Sequence, residues 1–320
     1  MKRIAIKMIA GLAFTSVFYF GMCYSINRVS ISGKRAACWV NPQFQRKGGQ
    51  EARLMKDWDA RENYDVIVIG SSHAYRGYDP REFQASGYNL FAAGTGFQNT
   101  LASYVLSKDV FKPKKNSLVI IDLFDQTFVG DGVGCYTRVI QNAGSDRAAW
   151  EFVERKPDIR TFNSYWCRMF SKHMPEEIAD EDGYLTRGYC PKTDSLETPT
   201  PELELNETVK FNTQFAHYLD KLIHKLMNDT ARVVLVSHPQ PLTVYNDAYH
   251  RQFLQFIQPI LAKHKLKYLD YNSNHSLHNM HHFADANHLN QSGVSIWNRQ
   301  LIDTLIQHEL LELKLRDKRK

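Results

Sequence analysis

Two short stretches of this chain pair residues able to do nucleophilic chemistry. Gly70-Ser71-Ser72-His73 sets two hydroxyls on a small-residue turn, and Asp285-Ala286-Asn287-His288-Leu289-Asn290 sets a carboxylate three positions before an imidazole. A serine hydroxyl attacks only when a base removes its proton, and that base needs a partner to fix its tautomer. Asp and His at this spacing can bond within one turn of chain, so Asp285 can orient His288. Taken singly, both stretches are common turn sequences. Together they describe acyl transfer through Ser72, with His288 as base and Asp285 as its support. His73, His238 and Asn290 flank these segments or a strand end and are expected to contact substrate.

A metal site is the competing chemistry. His275, His278, His281, His282 and His288 lie close together, and His278 and His282 would share one helical face, as zinc ligands can. No Glu stands between them in the metalloprotease pattern, and the Asn and Ser residues around them favour a loop. The expectation is a solvated His-rich loop beside the substrate, with no bound metal and no other cofactor.

These residues need elements that carry them to one place. Tyr64 to Ile69, ending in Gly70, is a short β-branched run of the buried parallel type. Tyr88–Phe91, Ser117–Leu123, Arg232–Val236 and Leu266–Asp270 read as further strands. Helical patterns fall between them: Gln98 to Ser107, the Phe211-Phe215-Tyr218-Leu222-Leu226 stripe, and Asp247 to His264 with Pro259 as a kink. A last helix carries Trp297, Leu301 and Leu305, with Ser292 as its expected cap. Five strands alternating with helices predict a flavodoxin-like three-layer α/β/α fold around a parallel sheet. In such sheets, sites form at the carboxyl edge of the strands. Ser72 follows the first strand there, where free backbone N–H groups at a helix start can hold an oxyanion. Residues 128–206 break the rhythm and read as an insertion capping the site.

At this point the sequence resembles the SGNH (GDSL-like) hydrolase family over about residues 62 to 312, apart from most of the insertion. The family's Gly-Asp-Ser motif aligns with Gly70-Ser71-Ser72, and its final Asp-x-x-His with Asp285 and His288. Its glycine after the second strand matches Gly94, whose N–H the resemblance makes an oxyanion donor beside that of Ser72. Two positions depart from the pattern. Ser71 replaces the usual Asp, and Leu123-Phe124-Asp125-Gln126 replaces the Gly-x-Asn-Asp motif, leaving Gln126 as a substitute amide donor. The double serine, single N-terminal span and inserted cap resemble the anchored envelope branch, which includes teichoic-acid D-alanylation and alginate acetylation proteins. That likeness implies acyl groups moved to or from a cell-envelope polysaccharide or glycopolymer, beside a membrane-bound O-acyltransferase. It also implies an inner-membrane protein with a periplasmic domain. A scaffold that kept the fold and lost turnover is the alternative.

The chain ends and composition bound these readings. Lys2, Arg3 and Lys7 precede a run from Met8 to Ile26 without a charged residue. That is close to the ~20 residues needed to cross a hydrocarbon core of roughly 30 Å. No A-x-A-like cleavage site follows, so an uncleaved anchor over residues 1–27 is expected rather than a signal peptide. Arg28, Lys34 and Arg35 follow the span, so flanking charge leaves its orientation open. Residues 28–60 read as a stalk with a helix from Gln50 to Asp59, and 61–320 as the catalytic domain. Outside the span, Cys38, Cys135, Cys167 and Cys190 allow two disulfides in three pairings, or four thiols. A net charge of +6, with basic residues concentrated at the ends, fits an anionic envelope surface and gives nucleic acid binding no further support.

Overall fold

The computed structural model describes residues 2–31, 34–35, 48–172, 183–196, 208–229 and 231–314. Five parallel strands form its centre: β1 (Val66–Gly70), β2 (Leu90–Gly94), β3 (Leu118–Asp122), β4 (Arg232–Ser237) and β5 (Tyr268–Asp270). Their order is β2-β1-β3-β4-β5, the flavodoxin-like arrangement. β1 pairs with β2 and β3 in one register, Val66 facing Leu90 on one side and Leu118 on the other. The first strand of the core is therefore a central strand, and its carboxyl end opens at the middle of the sheet edge.

Alternation along each strand divides the core into two layers. Ile67, Ile69, Val119, Ile121 and Leu235 face one side. There they meet α5 (Thr100–Asp109), α9 (Thr213–Asn228) and α10 (Asp247–His264). Val66, Val68, Leu118, Ile120 and Val234 face the other side and pack on Trp297, Leu301 and Leu305 of α11 (Gln291–Gln307). Trp297 is fully buried. Asn290 rather than Ser292 caps α11, its side chain accepting from the Gly293 N–H. A carbonyl oxygen three residues upstream satisfies an N–H that the helix cannot.

Residues 133–170 of the inserted stretch are helical: α6 (Val133–Asn142), α7 (Asp146–Arg155) and α8 (Ile159–Phe170). Val133, Tyr136, Val139, Ala148 and Phe152 enter the larger core layer, so this part is integral to the domain. The expected stalk helix is α2 (Gly49–Asp57), and Gln50 at its start is buried, its amide donating to the Gly94 carbonyl at 3.0 Å. The N-terminal run forms α1 (Lys2–Arg28), long and apolar enough to cross a membrane, as an anchor or a signal sequence would be. No disulfide joins any two of Cys23, Cys135, Cys167 and Cys190, all of them buried. Cys135 is a free thiol, its Sγ 3.9 Å from the Thr95 hydroxyl, so of the two alternatives the pair of bridges is not formed. Cys38 lies outside the described residues.

Candidate active site

β1 ends at Gly70, and the chain turns at once into α3 (Ser72–Gly77). Ser71 is the cap of that helix: it is buried, and its hydroxyl accepts from the His73 N–H at 3.4 Å. Ser72 is the first helical residue and half-buried. Of the two adjacent serines, local folding therefore commits Ser71 to the backbone and presents Ser72. Gly94, at the end of β2, makes that placement possible. A Cβ there would stand 2.5 Å from the Ser71 carbonyl oxygen and 2.7 Å from the Ala74 side chain.

The Asp285 carboxylate organises its own loop. It accepts from the backbone N–H groups of Asn287 (2.8 Å) and His288 (2.9 Å) and from the His288 imidazole Nδ1 at 2.8 Å. This is a side-chain-closed turn of the kind Asp favours. The Ala284 N–H donates to the His288 carbonyl at 2.8 Å and closes the loop behind it. With Nδ1 held as a donor, Nε2 is free to accept, and it lies 2.7 Å from Ser72 Oγ. Burial disfavours charge on Asp285, but the bonds from His288 and Lys192 outweigh it and hold the carboxyl far below the usual carboxylate range. The geometry is that of an activated hydroxyl with a base and an orienting anion.

Lys192 went unnoticed in the sequence. It belongs to residues 183–196, which run past both halves of the site. The Cys190 N–H donates to the Tyr75 carbonyl of α3 at 2.8 Å, and the Gln291 N–H donates to the Lys192 carbonyl at 2.8 Å. The Leu196 N–H reaches the Phe283 carbonyl at 3.0 Å. The Lys192 ammonium bonds the same Asp285 carboxylate that orients His288. A backbone strap thus joins the nucleophile helix to the Asp-His loop. Gly188 passes so close to β2, with φ +84°, that a Cβ would come within 1.9 Å of the Ala92 carbonyl oxygen.

Three expected substrate contacts turn out to face inward. His73 is buried, stacked on His238 at 4.7 Å, and set edge-on to the His288 ring at 5.5 Å. His238 is also buried, its Nδ1 at the Pro239 carbonyl (2.8 Å) and its ring against Trp297 (4.6 Å). Both sit beneath the triad, and neither is placed to meet a ligand from solvent. Asn290 is occupied by its capping bond and by the His281 carbonyl, to which its amide donates at 2.8 Å. Gln126 is exposed on the single turn Asp125–Phe128 that follows β3.

Asp122, at the end of β3, completes the buried floor. Tyr78 donates to it at 2.7 Å, yet burial prevails and pushes its carboxyl up to about 7. Burial, then the neighbouring His238 and His288, holds His73 well below its ordinary value, and burial takes His238 down to about 3. The 3.8 Å approach of His73 Nδ1 to Asp122 is therefore not an ion pair, since the imidazole stays neutral. A charged imidazolium forming on His288 meets a floor of uncharged rings. Its balancing anion, Asp285, lies on the other side.

The histidines expected near the substrate divide. His275 Nε2 lies 2.7 Å from the Gln240 carbonyl, while His278 stacks on His281 at 4.3 Å and accepts from the Met280 and His281 N–H groups. Only His288 of the five reaches Ser72. Among the described residues, no group of three or more His, Cys, Asp or Glu is placed to hold a metal ion.

No protein-family model matches the chain, and neither does any curated protein. Solved structures do resemble it. A GDSL-like lipase from Bacteroides thetaiotaomicron is 12% identical, covering 81% of this chain and 95% of its own, at a TM-score of 0.38. TesA is 14% identical over 77% of this chain and 99% of its own, also at 0.38. An acetyl xylan esterase is 13% identical over 75% of this chain and 100% of its own, again at 0.38. All three likenesses are at low sequence identity.

Proposed function

We propose that this protein is a membrane-anchored serine esterase or O-acyltransferase acting through Ser72, His288 and Asp285. The observation that carries the reading is the bond from Ser72 Oγ to His288 Nε2 at 2.7 Å, with Nδ1 of the same ring on Asp285. Ser72 Oγ attacks an ester carbonyl while its proton passes to His288 Nε2, leaving a tetrahedral oxyanion. The N–H groups of Ser72 and Gly94 are assigned to that oxyanion. His288 then returns the proton to the departing alkoxide, and an acyl-Ser72 ester remains. Water or a polymer hydroxyl, deprotonated by His288, resolves it. The first outcome is hydrolysis and the second is transfer.

For the substrate we propose an acylated cell-envelope polysaccharide or glycopolymer, with the domain on the periplasmic side of a bacterial inner membrane. The apolar helix α1 supports anchoring, and the resemblance of the double serine, single span and inserted stretch to the anchored envelope branch supports the substrate class. A membrane-bound O-acyltransferase is the proposed partner. A second reading, a non-catalytic scaffold for an envelope-modifying complex, draws on Asp125-Gln126 standing where the motif calls for Asn-Asp.

A fluorophosphonate probe on the full chain in detergent, followed by peptide mapping, separates these readings. The enzyme reading expects labelling at Ser72 that disappears in His288→Ala. A folded protein that takes no label would be the scaffold.

A further inference from the structure

From Leu90 to Ser103 every residue is buried except Phe97, which is 65% exposed. Its backbone is as unusual as its exposure. Phe97 has φ +54°, and the other non-glycine residues at positive φ among the described residues are Asn116, Arg187, Lys265 and Glu309, all polar. In that region a Cβ crowds its own carbonyl, so glycine or asparagine is the stable choice. Neither burial nor local conformation therefore explains a phenylalanine at this position.

The surrounding turn holds the ring where it is. The Gln98 N–H donates to the Thr95 carbonyl at 3.1 Å, closing a four-residue turn with Phe97 in third place. The buried Gln98 side chain accepts from the Thr95 hydroxyl and donates to the Ser103 hydroxyl, both at 3.0 Å. The same amide reaches back to the Ala93 carbonyl at 3.4 Å. The turn is thus tied to the end of β2 and to α5.

That turn begins one residue after Gly94, which pairs with Gly70 at the end of β1. Three residues of chain span at most about 11 Å, so the Phe97 Cα lies within that distance of Gly94. The ring therefore stands at the same sheet edge as Ser72, beside the N–H assigned to the oxyanion. Arg138, half-buried on α6, lies against the turn: a Cβ on Gly96 would be 3.0 Å from its Nη1. Its charge is met by Glu51 at 3.8 Å.

One exposed ring beside charge-balanced N–H donors suits a sugar. A pyranose has a face of C–H groups that lies flat on an aromatic ring, and hydroxyls at its edge that accept from a guanidinium. An acyl chain would leave Arg138 unused, and a simple anion would leave the ring unused. We propose that Phe97 is the platform on which the sugar ring bearing the scissile ester stacks, with Arg138 donating to its hydroxyls. This rests on the reading of Ser72, His288 and Asp285 as the triad, and it gives the proposed polysaccharide a specificity-determining contact.

The test uses the full chain in detergent and the rate of fluorophosphonate labelling at Ser72, slowed by a competing ester. The esters are a mono-O-acetylated methyl glucoside, ethyl acetate and ethyl butyrate. In Phe97→Gly, the glucoside concentration that halves labelling is expected to rise about tenfold, well beyond any change for ethyl acetate. The midpoint of thermal unfolding should not fall, since glycine accepts φ +54° without crowding. Phe97→Trp keeps an aromatic face and should keep the protection. Equal glucoside protection in wild type and Phe97→Gly overturns the proposal. So does a loss seen with ethyl butyrate and not with the glucoside, which would assign the ring to the acyl chain. Wild-type labelling that the glucoside cannot slow overturns it too, while leaving the triad reading intact. No labelling of folded protein overturns both.

Discussion

Lys192 and His288 bond the same carboxylate, that of Asp285, one on each side. The ammonium comes from the strap and the imidazole from the loop ahead of α11, so the orienting anion of the triad is shared between two parts of the chain. A cation there draws negative charge away from the imidazole.

Removing that cation should make Asp285 a stronger partner for a protonated His288. In Lys192→Met, the acid limb of the kcat/KM profile for p-nitrophenyl acetate hydrolysis is expected to move to higher pH by about one unit. A limb that stays in place or moves down would mean that Lys192 only braces the strap.

The two serines should separate cleanly. Ser72→Ala removes the nucleophile, and turnover is expected to fall by at least about a thousandfold with unchanged thermal unfolding. Ser71→Ala loses a cap and about 1 kcal/mol of stability while keeping fluorophosphonate labelling. Labelling that survives in Ser72→Ala would overturn the assignment.

Asp122 gives stability a pH dependence of known sign. Its folded pKa of about 7 lies above the value of an unfolded Asp, so between about pH 4 and 7 the folded state holds a proton that the unfolded state has released. The contribution is complete at low pH and lost as pH rises through about 7, by about 4 kcal/mol in total. His73 and His238, with depressed values, act oppositely: their contribution is present above the ordinary histidine pKa and is lost as pH falls. Asp122→Asn isolates the first effect. Relative to wild type, the variant should gain stability from pH 5 to pH 8 in urea unfolding. A constant difference would show that Asp122 is ionised throughout.

Gly94→Ala tests the fit between β2 and the turn carrying Ser72. A methyl group 2.5 Å from the Ser71 carbonyl must displace that turn. The expected cost is about 1–3 kcal/mol, with a loss of kcat larger than any change in KM. Wild-type unfolding and turnover in the variant would show that the turn yields without harm.

The contact between Asp285 and His288 was readable from sequence because it is local. Asp285 and His288 meet within one turn, and Ser72 follows a run of apolar residues that could only be a buried strand. The parallel sheet needed nothing more than alternation with helices, which leaves the order of its strands open. Lys192 was not readable, since it reaches Asp285 from a polar stretch with no periodicity. Asp122 was placed on a strand, but its partner Tyr78 comes from beyond α3, and no spacing rule joins them. His73 and His238 were misjudged for one reason. A residue beside a catalytic position need not point the same way, and here the helix turn and the strand end rotate both rings into the core. Asn290 carried a readable signal that went unused, the glycine three residues on whose N–H it caps.

Ser72 and His288 are 216 positions apart, and every strand of the sheet after β1 is laid down between them. A ribosome therefore releases Ser72 early and His288 only after the whole sheet has been made. Until the loop carrying His288 has docked, Ser72 Oγ has no imidazole at 2.7 Å to accept its proton and is an ordinary alcohol.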